Sequence, residues 1–579
     1  MPRVSVWVPA NHNAPSPRIW AFRHYRPSPE PIDVATTTPP LRTSQNKQSR
    51  YAANGIEFIT VSGDRTTHCK NLYIKPKTRC LTNERTPGVK PLLLILATTV
   101  LTACAATPPL IADSGFAAPA LAHCATDLRY LNQVGGWQAT WPRQWQDVIA
   151  AGPETAAQAA ATWSAVPAAL AAAIDRLRLG LRTQQTAPRA VVLRVQQQVQ
   201  ALATDLAAAD SGYLFQNTGH ENARRWNRLV KSGIAPAVAG FEQFLRAEYL
   251  PAARPFAGLG KIDGGAGCFA DAVTWWTTLS LPADEIEAAG RRLLRDTRAE
   301  LLLTGNNGDT VDTILARLRS AAANDHTTAD DLTAISEAAL ARARSMAPSV
   351  FTKRTQSKIV VVAMPQHLQA SAPAGFYGRP RDAAPARYLI NPSRPNERRL
   401  MAEVIAFHEG IPGHHLWFTY PREQSSTGYN AGILEGWAIY AEYLADEMGL
   451  YSTPFDRQGM IAKHLWAASR LVVEPGLHLR GWSREQAVEF MLANTALSRT
   501  EIEIEVDRYI AMPGQSLAYM LGADLLLCER ELARKALGER FSLKAFHDIV
   551  LEPGVRSLPR LRAEIRTWVK ETTQSAGNF

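Results

Sequence analysis

The chain has 579 residues, of which 46% are hydrophobic, and a formal net charge of +10. Residues 1–88 carry 13 Lys and Arg against 5 Asp and Glu, whereas residues 105–579 carry 49 against 48. The body of the protein therefore has no surplus of basic side chains to neutralise phosphates, which excludes a nucleic-acid-binding protein. Its apolar content is enough for a large buried core.

Residues 1–88 are rich in Pro, Arg, Ser and Thr and show no sustained hydrophobic periodicity. Residues 89–104 then read V-K-P-L-L-L-I-L-A-T-T-V-L-T-A-C. This lysine, apolar run and small-residue cleavage site are typical of a secretory signal peptide, and the run is too short to span a bilayer. We therefore predict that translation begins at Val89 and that residues 1–88 are a mis-annotated or disordered extension. The alternative is that residues 92–101 form a buried strand or short helix.

The sequence L-T-A-C that ends at Cys104 resembles a bacterial lipobox, whose cysteine becomes the lipidated first residue of the mature protein. The resemblance implies a signal peptide at residues 89–103, a lipid anchor at Cys104 and a tether at residues 104–122. The protein would then be held on a membrane and face the periplasm. Ala105, where Asp would retain the protein, favours sorting to the outer membrane.

Three cysteines remain in the predicted mature chain after the anchor, namely Cys124, Cys268 and Cys528. The periplasm permits disulfide bonds. Spacing alone does not give the connectivity, and Cys124–Cys268 is the first pair to test.

Helices are predicted for residues 123–350, the N-terminal part of the mature protein. Residues 155–209 are rich in alanine, a strong helix former, and their apolar residues recur at helical spacing. Further helices are predicted at residues 219–248, 283–303, 308–321 and 328–346. These segments carry packing rather than visible chemistry.

The sequence pattern changes at the start of the predicted catalytic part, residues 351–579. Ser357–Pro365 is a β-branched run that ends at proline, and Ala386–Pro392 is a second short apolar run. Both are predicted to be strands. Gly375–Asp382 between them is predicted to be a loop.

Histidines and glutamates are concentrated in F-H-E-G-I-P-G-H-H-L-W at residues 407–417 and L-E-G-W-A-I-Y-A-E at residues 434–442. Imidazoles and a carboxylate are the ligands of a catalytic zinc ion, with one position left for water. A glutamate beside the first histidine, here Glu409, can accept the proton of that water. The two segments therefore indicate a zinc hydrolase, and a peptidase in particular.

The spacing differs from the usual zinc helix, H-E-x-x-H, in which the two histidines are four residues apart. Here Pro412 occupies the fourth position after His408. On a regular helix His415 would lie roughly 10 Å further along the axis, and His414 would point about 120° away. Proline and the flanking glycines permit an irregular helix. A two-residue bulge through G-I-P-G would return His414 to the usual ligand position.

Two glutamates follow in the second segment. Glu435 is the candidate carboxylate ligand. Glu442, seven residues later, lies near the same helical face but two turns along. It is therefore a candidate to orient a ligand histidine through a hydrogen bond.

These two segments and a third, R-Y-I-A-M-P-G-Q-S-L-A-Y-M-L-G at Arg508–Gly522, resemble the bacterial family called domain of unknown function 885. Members of that family resemble the gluzincin peptidases, including thimet oligopeptidase-type and Taq-type carboxypeptidases. The resemblance covers roughly residues 120–575. It implies a mainly α, gluzincin-like metallopeptidase fold with a small β-sheet before the metal-binding helix and a deep central cleft.

Carried over residue by residue, the resemblance implies that His408, His414 and Glu435 bind Zn2+ and that Glu409 is the general base. The P-G-H step of the family aligns with His414, and His415 is the alternative ligand.

The resemblance also implies roles outside these ligands. Tyr377 and Asn391 match polar positions of the family and would line the cleft, with structural roles in turns as the alternative. In R-L-V-V-E-P-G-L-H at Arg470–His478, the family has Asp-Thr in place of Glu474-Pro475, so the role of Glu474 stays open. His478 could donate to the oxyanion formed on the attacked carbonyl, and a buried structural histidine is the alternative.

The segment T-E-I-E-I-E-V-D-R-Y at Thr500–Tyr509 alternates like a strand, but Thr500 and Glu503 also form a capping box. The family resemblance favours a helix. P-G-Q at Pro513–Gln515 would end that helix and start another that runs through Leu537.

Arg508 is suited to bind a substrate carboxylate through two hydrogen bonds. An internal salt bridge to Glu501 or Glu505 is the alternative. The predicted site is completed by Gln515 and Tyr519 as further substrate-binding groups, with Tyr509 or Tyr519 as the oxyanion donor.

The sequence thus predicts a zinc-dependent peptidase of the cell envelope that acts on peptides. It would be a carboxypeptidase or dipeptidase if Arg508 holds a terminal carboxylate, and an oligopeptidase if it does not. Two alternatives remain: a zinc hydrolase of a non-peptide amide, and a non-catalytic peptide- or solute-binding lipoprotein with a structural metal site.

Overall fold

The protein is mainly helical, with a small three-stranded sheet. The computed structural model describes residues 49–53, 56–60, 124, 131–324, 326–364, 369, 372–380, 384–422 and 429–574. The predicted signal peptide, the lipid anchor at Cys104 and the tether lie outside the described residues and stay predictions.

A β-hairpin forms within the predicted extension. Its strands are β1, Ser49–Ala53, and β2, Ile56–Thr60, which pair antiparallel with Ser49 opposite Thr60. That residues 1–88 are a mis-annotated or disordered extension stays a prediction. The missed signal is the pair Asn54-Gly55 between two β-prone runs, a strong hairpin signature.

The helices predicted in the N-terminal part are present. The first seven are α1 Trp137–Ala151, α2 Pro153–Trp163, α3 Val166–Arg182, α4 Arg189–Ala207, α5 Glu221–Leu229, α6 Ala235–Phe244 and α7 Leu250–Ala252. Two π-helical turns, Val230–Ile234 and Leu245–Tyr249, join the last three. The next four helices are α8 Gly265–Thr277, α9 Ala283–Leu302, α10 Val311–Asn324 and α11 Ala329–Met346.

Helix α4 illustrates why these segments fold as they do. Its buried residues include Val191, Val195, Val199, Leu202 and Leu206. These positions recur every three or four residues and form one apolar stripe, which the helix buries in the core.

Cys124 and Cys268 form a disulfide, which confirms the predicted pair. Cys268 lies on α8, so the bond ties the start of the described main body to that helix. Helix α8 in turn contacts two helices of the C-terminal part, at Ala431–Glu447 and Leu517–Leu537.

The small sheet has the strand order β3-β5-β4, with β3 Ile359–Ala363, β4 Gly375–Gly378 and β5 Ala386–Ile390. Strand β3 runs parallel to β5, and β4 runs antiparallel to it. The two predicted strands are confirmed. The predicted loop at Gly375–Asp382 is wrong for its first four residues, because they pair with β5 and form an edge strand.

The remaining helices follow the sheet. They are α12 Pro395–Arg399, α13 Ala402–Glu409, α14 His414–Thr419, α15 Ala431–Glu447, α16 Pro454–His478, α17 Arg484–Asn494, α18 Arg499–Ala511, α19 Leu517–Leu537, α20 Leu543–Leu551 and α21 Leu558–Gln574. Helix α18 confirms the predicted helix over the alternating segment. Its cap is Ser498, whose side chain accepts from the Glu501 backbone, and not the predicted Thr500.

Helices α15 and α19 approach each other at backbone distance. A methyl group added at Gly436 would lie 2.6 Å from the backbone of Gly522, and one added at Gly522 would lie 2.0 Å from the Gly432 carbonyl oxygen. Only glycine fits at both positions. This close contact fixes Glu435, on α15, relative to Tyr519, on α19.

A buried histidine links three parts of the C-terminal half. Tyr440 on α15 donates its hydroxyl proton to Nε2 of His547, and Nδ1 of His547 donates to the carbonyl of Val350, both at 2.8 Å. Burial lowers the pKa of His547 from 6.5 to about 3. The ring is therefore neutral in the folded protein at neutral pH.

We predict that the free energy of unfolding decreases as the pH falls from 6.5 to 5. His547 has a lower pKa when folded, so the unfolded chain binds more protons throughout this range. The slope for one group is about 1.4 kcal/mol per pH unit, which gives up to about 2 kcal/mol for His547 alone. Urea denaturation with a chelator present measures the change. His547→Asn keeps a donor and an acceptor but does not titrate, so it should lose less stability; equal losses in both proteins would contradict the prediction.

Candidate metal centre

The segment H-E-G-I-P-G-H-H forms a helix, a turn and a second helix. Helix α13 ends at Glu409 and α14 begins at His414, with residues 410–413 between them. The predicted two-residue bulge within one helix is therefore wrong. The turn requires glycine, because a methyl group at Gly413 would lie 1.9 Å from the carbonyl oxygen of His408. Trp437 donates its indole N–H to the carbonyl of Pro412 at 3.0 Å and holds the turn against α15.

This turn brings three predicted ligands together. Oε2 of Glu435 lies 3.4 Å from Nε2 of His408 and 3.3 Å from Nε2 of His414. The two imidazole rings are nearly perpendicular, with centroids 4.8 Å apart. Three separate helices, α13, α14 and α15, thus supply one ligand atom each.

The donor set and its spacing fit a zinc ion. Two ligands at the usual zinc distances of 2.0–2.1 Å are about 3.3 Å apart in a tetrahedron, close to both distances from Glu435. All three candidate ligand atoms lie within 4.8 Å of one another, so one ion placed between them would be near all three. Within the described part of the chain, this is the one group of three His, Cys, Asp or Glu side chains that meets this criterion.

A buried carboxylate fixes the orientation of His408. Nδ1 of His408 donates to Oε1 of Glu442 at 2.6 Å, which leaves the Nε2 lone pair facing Glu435. This is the position predicted for Glu442. Such a hydrogen bond sets the tautomer of a ligand histidine and raises its basicity. Nδ1 of His414, in contrast, is buried and has no hydrogen-bond partner among the described residues.

Glu442 is held by two further donors that the sequence analysis missed. Lys463 donates to Oε1 of Glu442, and Nε2 of His464 donates to Oε2 at 3.0 Å. Burial alone would raise the pKa of Glu442, but Lys463 and the two histidines outweigh it and hold that pKa well below the ordinary value. The carboxylate is therefore charged and fully satisfied although it is completely buried.

His415 points away from the three-residue cluster. Its Nε2 donates to the carbonyl of Ser357 at 3.1 Å, and its Nδ1 accepts from the hydroxyl of Tyr377 at 3.2 Å. Burial lowers the pKa of His415 to about 4. Of the two alternatives left open by the sequence, the structure places His414 beside Glu435 and uses His415 to join α14 to the sheet.

Two predicted cleft residues have internal roles instead. The hydroxyl of Tyr377 is bound to His415, and its ring stacks on Phe418 at 5.6 Å. Asn391 is completely buried. Its amide donates to three backbone carbonyls of residues 369–373, and its oxygen accepts from Ser393. Their hydrogen bonds are used within the fold, which favours the alternative of structural roles; that they line a cleft stays a prediction.

Glu409 and Tyr519 lie at the cluster with groups available for chemistry. Glu409 follows His408 directly, and no hydrogen bond joins its carboxylate to another described residue. The ring of Tyr519 stacks near that of His408, with centroids 6.2 Å apart. Burial and the charge of Glu435 raise the pKa of Tyr519 to about 12, so its hydroxyl stays protonated and can donate.

Arg508 is already paired. Its Nη2 donates to Glu505 at 2.7 Å, and its Nη1 donates to the side-chain oxygen of Gln515. Arg470 shares the same carboxylate at 3.3 Å. The alternative role, an internal salt bridge to Glu505, therefore describes Arg508, and the prediction that Arg508 and Gln515 bind substrate is not supported by this geometry.

Tyr509 and His478 are also structural. Tyr509 is completely buried, and its hydroxyl accepts from Trp466 at 2.9 Å and from Arg470 at 3.1 Å. His478 stacks on Phe269 and donates from Nε2 to the carbonyl of Tyr509 at 3.1 Å. Burial lowers the pKa of His478 to about 3. The Nε2 proton of His478 is used in this bond, and the hydroxyl of Tyr509 donates in turn to Glu505, so both donors are used within the fold.

Glu474, whose role the sequence left open, holds the turn before α19. Its carboxylate accepts from the backbone N–H of Gly514 at 2.8 Å and from the hydroxyl of Ser516 at 2.8 Å. Gly514 has φ +80°, a conformation that favours glycine. The turn leads directly into Tyr519, so Glu474 positions that residue.

A second tyrosine, missed by the sequence analysis, lies at the mouth of the site. Tyr429 precedes α15, has 54% of its surface exposed, and contacts Trp276 edge-on at 6.5 Å. Its hydroxyl is close enough to the carboxylate of Glu435 and the phenol of Tyr519 to interact with both electrostatically. A loop tyrosine carries no local sequence signal that would have marked it.

Comparisons with other proteins agree on the family and the fold. The family model described as "Bacterial protein of unknown function (DUF885)" matches residues 112–565. Among curated protein sequences, none matches the chain. The fold is similar to that of a candidate lipoprotein from Colwellia psychrerythraea, with a TM-score of 0.68 and 23% identity over 76% of this chain and 80% of that one. It is also similar to a candidate lipoprotein of unknown function from Shewanella oneidensis, with a TM-score of 0.55 and 17% identity over 70% and 77% of the two chains. With more than half of its length matched, the chain belongs to the DUF885 family of bacterial proteins.

Proposed function

We propose that the protein is a zinc-dependent hydrolase of peptide bonds, related to the gluzincin metallopeptidases. The observation that carries the proposal is the cluster of His408, His414 and Glu435 with an unpaired carboxylate, Glu409, beside it. A zinc ion held there would polarise a carbonyl oxygen and make a water more acidic.

The side chains of this site would then share the work of hydrolysis. Glu409 accepts a proton from the attacking water, whose oxygen bonds to the carbonyl carbon, and passes that proton to the leaving amine as the C–N bond breaks. The hydroxyl of Tyr519 donates a hydrogen bond to the carbonyl oxygen on which negative charge develops. Glu442 keeps His408 in the tautomer that presents Nε2 to the centre.

The edge strand β4 favours a peptide substrate over another amide. Among the described strands β4 pairs with β5 alone, and it contacts α13, the helix that carries His408 and Glu409. An extended peptide would pair with its other edge, which binds a backbone without reading side chains. A non-peptide amide would make no use of such an edge.

The number of ligands argues against the non-catalytic alternative. Structural zinc sites are usually closed by four protein ligands, whereas catalytic sites use three and leave one position open. Within the described residues the cluster has three members. A purely structural site would also gain nothing from the adjacent carboxylate of Glu409.

We further propose that the protein is a lipoprotein of the cell envelope. The support is the signal-like segment at residues 89–103 with Cys104 after it, and the two similar structures that are described as candidate lipoproteins. The location would be periplasm-facing, on the outer membrane.

The lipid anchor predicts a change in fractionation. Wild-type protein should partition with the membranes and carry diacylglycerol at Cys104, as measured by mass spectrometry of the N-terminal peptide. Cys104→Ser should appear as unlipidated protein, with Cys124→Ser as a control that keeps the lipid. A native protein whose mass includes residues 1–88 would contradict the proposal.

The ligand set predicts which variants lose zinc. His408→Ala, His414→Ala and Glu435→Ala should each bind zinc at least 10-fold more weakly, because three protein ligands leave none to spare. Competition with a chromophoric chelator measures the affinity. His415→Gln is the matched control, since the neighbouring histidine faces the sheet, and it should bind zinc like wild type. Full affinity in His414→Ala would contradict the proposed centre.

The role of Glu409 predicts a separation of binding from catalysis. Glu409→Gln should keep one zinc ion per chain and lower kcat for peptide hydrolysis by about 10²- to 10⁴-fold, the usual contribution of a general base. Glu337→Gln, an exposed glutamate on α11, controls for the lost charge. Unchanged kcat in Glu409→Gln would remove this residue from the mechanism.

A further inference from the structure

An exposed arginine lies at the end of the edge strand, close to the candidate metal centre. Arg379 directly follows β4, and its guanidinium carbon lies 3.9 Å from the ring centroid of Phe418. Phe418, on α14, also lies beside His414, with ring centroids 6.3 Å apart. The guanidinium is thus one aromatic ring away from a candidate zinc ligand.

Arg379 has no carboxylate partner among the residues that the structure describes. The described ionisable groups that act on its charge are two phenols, Tyr377 and Tyr429. Arg508 and Arg470 contrast with it, because both are paired with Glu505. Of these three arginines, Arg379 is the one without a carboxylate partner in the described part of the chain, so its charge is open to a ligand.

The surroundings hold the guanidinium in place without occupying its donors. The guanidinium carbon lies over the ring of Phe418, which stacks in turn on Tyr377 with an interplanar angle of 2°. A cation on an aromatic face keeps its in-plane N–H groups free. Those groups form a fork that matches the two oxygens of a carboxylate.

We propose that Arg379 binds the C-terminal carboxylate of the substrate, so that the enzyme releases one or two residues from the C-terminus of a peptide. The inference rests on the proposed peptidase function and specifies its substrate. Residues in an extended chain advance about 3.3–3.6 Å each. The distances to Phe418 from the His414 ring, 6.3 Å, and from the Arg379 guanidinium carbon, 3.9 Å, place Arg379 within about 10 Å of His414, which a terminal carboxylate one or two residues beyond the scissile bond can reach.

The direction of β4 is consistent with this placement. Strand β4 contacts α13, which carries His408, and Arg379 directly follows the strand, so a peptide paired along β4 would end near Arg379. Tyr429 interacts electrostatically with both Glu435 and Arg379. The phenol can donate to the carboxylate beside the guanidinium.

Binding of two matched peptides tests the inference independently of catalysis. N-acetylated tetra-alanine with a free C-terminal carboxylate and its C-terminal amide are titrated by calorimetry into zinc-treated Glu409→Gln protein, which holds the peptide without cleaving it. We expect the acid to bind about 10- to 100-fold more tightly than the amide, as for a charge-assisted pair of hydrogen bonds. In the double variant that carries both Glu409→Gln and Arg379→Gln, the ratio of the two Kd values should be close to one.

Two further variants complete the experiment. Arg379→Lys keeps the charge without the fork and should give an intermediate ratio. Arg225→Gln, an exposed arginine on α5, should leave the ratio as it is, and circular dichroism checks that each variant is folded. A ratio that survives Arg379→Gln, equal binding of acid and amide, or binding of neither at millimolar concentration would each overturn the inference. Zinc content and hydrolysis by the wild type are measured separately, so failure of the proposed peptidase function would show as lost hydrolysis and not as a changed ratio.

Discussion

Close backbone contacts at three glycines set the positions of His414, Glu435 and Tyr519 in the candidate centre. Gly413 brings the start of α14 against the carbonyl oxygens of the last turn of α13, so His414 returns to His408. Gly436 and Gly522 let α15 and α19 meet at backbone distance, and Glu435 and Tyr519 lie one turn or less from that contact. A methyl group at any of these glycines would separate elements by more than the tolerance of a metal site, because packed interiors cannot absorb such a change locally.

The charged groups beneath the centre impose a second constraint. Glu442 is buried with Lys463, His408 and His464, and breaking such a network by removing one partner typically costs about 3–5 kcal/mol. An apolar cluster of the same volume would often be at least as stable. The network is therefore better explained by what it does for His408, whose Nε2 it directs toward Glu435, than by its contribution to stability.

The sequence predicts those parts of the site that are encoded over short distances. The candidate ligands His408, His414 and Glu435 lie in two recognisable segments, and the helices around them follow from periodicity. The helix break was misjudged because spacing gives the separation of two side chains along a regular axis but not the path of a turn. Strand β4 was missed because its pairing partner, β5, supplies the stabilisation that four residues cannot. Lys463 and Tyr429 come from segments whose proximity to the centre exists only in the folded chain.

The residues whose predicted roles the geometry does not support share one physical property, which also identifies the groups that remain. Sequence shows which side chains can donate or accept, but a ligand can use only the donors and acceptors that the fold has not already used. Asn391, Tyr509 and Arg508 are chemically suited to a cleft, and their hydrogen bonds are all made internally. Glu409 and Arg379 are ordinary by sequence, yet the described structure leaves a carboxylate beside the two histidines and a guanidinium beyond them without partners of opposite charge. The C-terminal end of a bound peptide would use both groups. Its scissile amide would meet the base, Glu409, and its terminal carboxylate would pair with the guanidinium of Arg379.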